Sequence, residues 1–112
     1  MKTYQMNLAD NPFQLIKNGH KKVEMRLYSE ERSHICPNDH IVFTNNISQE
    51  KLEVLVLKID KYPTFKELYD SIDKKLLGYK EEEVASYEDM YLYYQKESIL
   101  KNGVLAIYIE LI

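Results

Sequence analysis

Behind a glycine in "GHKKVEMRL", a lysine, a glutamate and an arginine fall within six positions: Gly19, then Lys21, Glu24 and Arg26. Val23, Met25 and Leu27 alternate with Glu24 and Arg26, the period-two pattern of a half-buried strand. Side chains two residues apart on one strand face stand about 7 Å from each other. At that range a carboxylate can hold the arginine fork in a fixed orientation toward a carboxylate, a phosphate or a base edge. Lys21 has the opposite parity but sits just past Gly19, where the chain need not yet be regular strand. Two uses fit this pattern: the floor of a polar pocket, or a solvated strand face carrying a weak ion pair.

Other chemistry-bearing residues are fewer. The acidic run Glu81, Glu82 and Glu83 reads as a solvated loop before a helix, or as the source of one carboxylate placed over the pocket as an acid/base partner. The chain has ten tyrosines, and Tyr87, Tyr91 and Tyr94 fall at i, i+4 and i+7 of one helical segment. That stripe suits core or interface packing, with one ring stacking on a nucleobase as the alternative. His20, His34 and His40 have no paired spacing and only Cys36 beside them, so no metal site is expected. Cys36 lies in "HICPND", a loop with no basic cluster to form a thiolate, and reads as inert. No Gly-rich phosphate loop and no cofactor motif is present.

The elements that must position these residues follow from periodicity and punctuation. Residues 2–8 read as a first strand. "ADNPFQLIKNG" reads as a short helix capped by Asp10 or Asn11, with Pro12 in its first turn and Gly19 at its end. After the strand that carries Glu24 and Arg26, "PND" at 37–39 marks a turn and "HIVFTN" a strand. Residues 51–63 form the strongest strand, with apolar residues on both faces in its middle, which calls for double burial or a bend. Thr64 and Glu67 make a capping box for the next helix. "ASYEDMYLYYQKESIL" reads as one further helix with Ser86 as N-cap, and "GVLAIYIELI" as the closing strand. Such short strands, with a terminal strand that must pair with earlier ones, suggest a small mixed barrel.

Composition bounds the rest. A chain of 112 residues is expected to form one domain, spanning 1–112. Its net charge is −3 and its pI about 5.6, the wrong balance for neutralising a long phosphate backbone. Any nucleic-acid role must rest on a local positive site or on recognition of a nucleoside. No apolar run approaches the roughly 18 residues of a membrane span. With a lone cysteine and no secretory pattern at its start, the expected setting is cytoplasmic. The oligomeric state is not legible.

"PFQLIKNGHKKVEMRL" followed by "ICPNDHIVFTN" resembles the opening of the ASCH domain, a branch of the PUA-like superfamily. In that family a short helix and a glycine lead into G-x-K-x-x-E-x-R, matched here by Gly19, Lys21, Glu24 and Arg26. "PND" replaces a G-D turn, which Asn tolerates because it accepts positive φ. The resemblance extends through "VLVLKIDKYPTFKELYDSI" and the tail, nearly the whole chain. It implies an α+β fold, a small mixed PUA-like β-barrel flanked by short helices. It also implies binding of RNA or a modified nucleoside, with Lys21, Glu24 and Arg26 as ligand-binding residues. One branch of the family contains amidohydrolases that deacetylate N4-acetylcytidine. By that resemblance Lys21, Glu24 and Glu83 would be the catalytic residues, with Glu81 and Glu82 as close rivals for the place of Glu83, although the branch has a threonine where this chain has Glu24, and a carboxylate does not replace its hydroxyl simply. A third expectation is a protein-interaction module presenting the tyrosine stripe.

Overall fold

The alternating segments become five strands in the computed structural model, which describes all 112 residues. Strand β1 spans Thr3–Leu8, β2 Val23–Leu27, β3 His40–Asn45, β4 Lys51–Tyr62 and β5 Val104–Leu111. They form one mixed sheet in the order β1-β3-β4-β5-β2, with β1 parallel to β3 and the other pairs antiparallel. The sheet curls into a half-barrel whose outer strands are β1 and β2. Helix α1 (Asp10–Lys17) connects those two, α2 (Phe65–Ser71) follows β4, and α3 (Lys96–Asn102) precedes β5. The bend anticipated in the long strand is real. A register shift between Val56 and Lys58 bulges β4 and turns Leu57 outward, as an extra residue in one strand of an antiparallel pair does.

Both faces of the sheet are covered, and β5 shows how. Leu105, Ile107 and Ile109 enter a core with Phe13 and Ile16 of α1, Ile41, Phe43, Val54 and Val56. Val104 and Ala106, of opposite parity, enter a second core with Phe65, Leu68, Leu77, Met90 and Ile99. Val23 and Met25 of β2 belong to this second core. Glu24 and Arg26 therefore project to the other side, in register with Ile107 and Leu105 of β5. The polar face of β2 points into the curl, not into solvent.

Two expectations require correction. The segment 85–100 is not one helix: Tyr87–Leu92 is a 3-10 turn, and α3 begins separately at Lys96. Ser86 does cap the turn, accepting from Glu88 N–H. The backbone then tightens, with Tyr93 N–H and Tyr94 N–H both donating to Met90 O. A segment crowded with tyrosines gains little as an α-helix, because aromatic side chains lose rotamer freedom against the preceding turn, and here the rings are drawn in different directions. Tyr94 stacks on Phe65 at 5.9 Å between centroids, whereas Tyr87 meets Tyr91 edge-on. The continuous stripe that motivated an interaction module does not form. Nor does Asp10 or Asn11 cap α1. Ala9 is the N-cap, and Asp10, the first helical residue, accepts from Gln14 and from the fully buried Asn45.

The capping box at Thr64 is as anticipated: its hydroxyl accepts from Lys66 N–H and bonds the Glu67 carboxylate. Thr64→Ala is expected to lower stability by about 1 kcal/mol in urea denaturation while leaving the shape of the cleft described below untouched.

Candidate functional site

The turn at Gly19 brings Lys21 to Glu24. Gly19 has φ +84°, and just past the end of α1 that left-handed conformation reverses the chain with no Cβ penalty. His20 N–H and Lys21 N–H then both donate to Leu15 O, which folds Lys21 back under the helix. Gly78, at φ +104°, lies against the lysine stem. A Cβ there would stand 3.4 Å from Lys21 Cβ and Cδ and 3.2 Å from Leu15 Cδ1.

Glu24 is the centre of the arrangement. Its Oε1 lies 3.1 Å from Lys21 Nζ, and its Oε2 accepts from Arg26 Nε at 2.7 Å. Only 3% of Glu24 and 9% of Lys21 is exposed, so this is not the solvated ion pair of an ordinary strand face. Burial pushes the Glu24 carboxyl up, but the Lys21 ammonium and the Arg26 guanidinium more than reverse it, holding its pKa below the ordinary glutamate range. Glu24 is therefore ionised at neutral pH, and the cluster carries one net positive charge.

Arg26 also spans the opening of the half-barrel. Its Nη2 donates to Asn7 O of β1 at 2.7 Å, so the two outer strands, not paired through their backbones, are linked by a side chain. Sequence parity placed Glu24 and Arg26 on one face correctly. It could not show that the face is interior, or that Asn7 would be the partner.

Above this floor is a cavity of about 290 Å³. Lys21, Glu24 and Arg26 line it together with Pro12, Asn46, Met90, Tyr93 and Tyr94. Tyr94 is held by Phe65, and burial pushes its hydroxyl pKa up, so the phenol stays protonated. Tyr93 is 59% exposed and free to meet a ligand. The tyrosines were visible in the sequence, but the choice of Tyr93 and Tyr94 over Tyr87 and Tyr91 depends on the 3-10 turn.

Of the acidic run, Glu83 is the residue that faces this region. It lines a neighbouring cavity of about 400 Å³ that shares Pro12, Lys21, Met25, Met90 and Tyr93 with the first. Its carboxylate is exposed and accepts from Lys80 N–H at 2.8 Å, closing its own turn. The structure thus brings Lys21, Glu24 and Arg26 into bonding contact and leaves Glu83 outside that contact. Glu81 pairs with Lys75 instead.

A curled mixed half-barrel with short helices, carrying a buried ion cluster beside a tyrosine-lined cavity, defines the class: a small α+β domain built on one mixed five-stranded sheet. A family model described as the ASCH domain matches residues 6–112, and the chain belongs to that family. It is similar over 100% of both chains to the crystal structure of hypothetical protein PH0355, at 36% identity and a TM-score of 0.82. Protein PF0455 from Pyrococcus furiosus, solved by NMR, is 34% identical with a TM-score of 0.68, covering 98% of this chain and 97% of that one. A mutant form of ZmASCH from Zymomonas mobilis shares the fold at 13% identity and a TM-score of 0.68, over 96% of this chain and 67% of that one. No curated protein matches the chain. No helix is long and apolar enough to cross a membrane.

Removing the Glu24 charge leaves the buried Lys21 and the half-buried Arg26 without a counter-ion. Glu24→Gln is expected to cost about 3–5 kcal/mol of stability at neutral pH, read by urea denaturation. A carboxylate whose pKa is depressed by folding stabilises the fold above its ordinary pKa, and that contribution is lost as pH falls through the depressed value. The wild-type stability curve should therefore fall from about pH 5 downward, and the Glu24→Gln curve should fall less steeply over the same window.

Proposed function

We propose that the domain binds a nucleobase in the cleft over Lys21, Glu24 and Arg26, as a modified nucleoside or as one residue of single-stranded RNA. The observation that carries this reading is the ion triad lining, together with Tyr93, one cavity of about 290 Å³. Lys21 has ammonium protons left after meeting Glu24, and Arg26 retains its Nη1 donors. The Glu24 carboxylate has lone pairs beyond those its two cations use. Donors beside an acceptor suit a base edge that carries a carbonyl next to an amino group, and Tyr93 offers a ring for stacking. The acidic net charge favours one nucleotide, or a short unpaired segment, over a duplex tracked by its phosphates.

Binding is favoured over amidohydrolysis by the state of Glu24. It is ionised, buried and engaged by both cations, so it supplies neither a hydroxyl nucleophile nor a proton. Lys21 is committed to the same pair, and Glu83 closes its own turn.

Calorimetric titration with nucleosides, single-stranded RNA and duplex RNA tests the reading. Single-stranded or free ligands are expected to bind and duplex to bind weakly. Because Tyr93 is exposed, Tyr93→Ala should fold normally and weaken binding by about tenfold. Equal affinity for duplex, or binding indifferent to Tyr93, would contradict it. Incubation with N4-acetylcytidine should release no cytidine. Release that disappears in Lys21→Ala would replace binding with hydrolysis.

A further inference from the structure

The chain has only two arginines, Arg26 and Arg32, and both line one polar cavity of about 270 Å³ at the opening between β1 and β2. Arg32 begins the 3-10 turn Arg32–His34 that follows β2. Its Nη1 donates to Leu27 O at 3.0 Å, which fixes the guanidinium against the end of the strand. It is half-buried, and no carboxylate pairs with it. Glu31 lines the same cavity but forms no ion pair with either arginine. A partly desolvated cation without a counter-ion is uncommon in a chain of net charge −3, because removing a charge from water costs energy that a partner normally offsets.

The cavity is not isolated. Arg26 and Asn7, joined by the hydrogen bond across the opening, line both it and the cleft over Glu24. One guanidinium thus faces the cleft and the cavity at once. Lys21, Arg26 and Arg32 outnumber Glu24 and Glu31, so the two joined spaces hold an excess positive charge at one place on an otherwise acidic molecule.

We infer that the Arg26–Arg32 cavity is the phosphate subsite of the cleft, so that the ligand is a phosphorylated nucleotide and not a free nucleoside. This rests on the base-binding reading above and narrows its ligand class. Arginine forks match phosphate oxygens through paired N–H donors. Arg32 retains free donors for this, and Arg26 adds Nη1.

The test is calorimetric titration of the full chain with cytidine, cytidine 5′-monophosphate and cytidine 3′-monophosphate at fixed ionic strength. One nucleotide is expected to bind at least about tenfold more tightly than the nucleoside, the scale of one charge-assisted contact. In Arg32→Gln that advantage should vanish while cytidine affinity stays unchanged, and Arg32→Lys should restore part of it. Circular dichroism and thermal melting check that both variants fold. If cytidine binds and neither phosphate improves affinity, the phosphate subsite is overturned and the base-binding reading stands. Equal weakening of nucleoside and nucleotide in Arg32→Gln also overturns the subsite, because Arg32 would then be shaping the cleft only. If none of the three binds, both fall together.

Discussion

A carboxylate held between two cations inside the curl of the sheet is the constraint around which the rest is arranged. Glu24 is reachable by almost no water, so its charge is tolerable only while Lys21 and Arg26 are both in place. Lys21 gets there because Gly19 reverses the chain and Gly78 leaves room for its stem. Arg26 gets there by strand parity, then reaches past Glu24 to Asn7 and ties the two outer strands of the half-barrel. A single polar cluster thus serves as a structural clamp and as the floor of a cleft. Such a cluster is a costly way to stabilise a core, and apolar side chains would fill the same volume. Its cost is understandable where its outward-facing donors meet a ligand.

The cleft over that floor depends on elements from distant parts of the chain. Pro12 comes from the start of α1 and Asn46 from the turn after β3, while Met90, Tyr93 and Tyr94 come from the 3-10 turn. Phe65 of α2 stacks on the ring of Tyr94, while Tyr93 stays exposed. Met90 and Tyr93 also line the larger cavity that Glu83 overlooks.

Much of this is legible in the sequence. The alternation of β2, the bend in β4, the Thr64 cap and the closing strand all rest on local rules, and each appears where those rules put it. Lys21, Glu24 and Arg26 were legible as a trio from spacing. What stayed hidden is non-local. Parity says which side chains share a face but not whether that face meets water, and here it meets α1 and β1 instead. The helix expected over 85–100 failed because helical spacing of tyrosines resembles an amphipathic stripe even where packing pulls each ring a different way. Arg32 carries no such signal, because a lone arginine in a loop has no pattern. Its scarcity, one of two in the chain, was the available signal.

That scarcity makes the most direct measurement simple. Two arginines give two Nε–H resonances in a nitrogen-edited NMR spectrum, and the one bonded to Glu24 should be displaced from the other and protected from exchange. Titration with cytidine 5′-monophosphate is expected to shift the Arg26 Nε–H signal together with the backbone amides of Lys21 and Tyr93. Shifts confined to other surfaces, with the Arg26 signal unmoved at saturation, would contradict the claim that the buried triad floors the binding cleft.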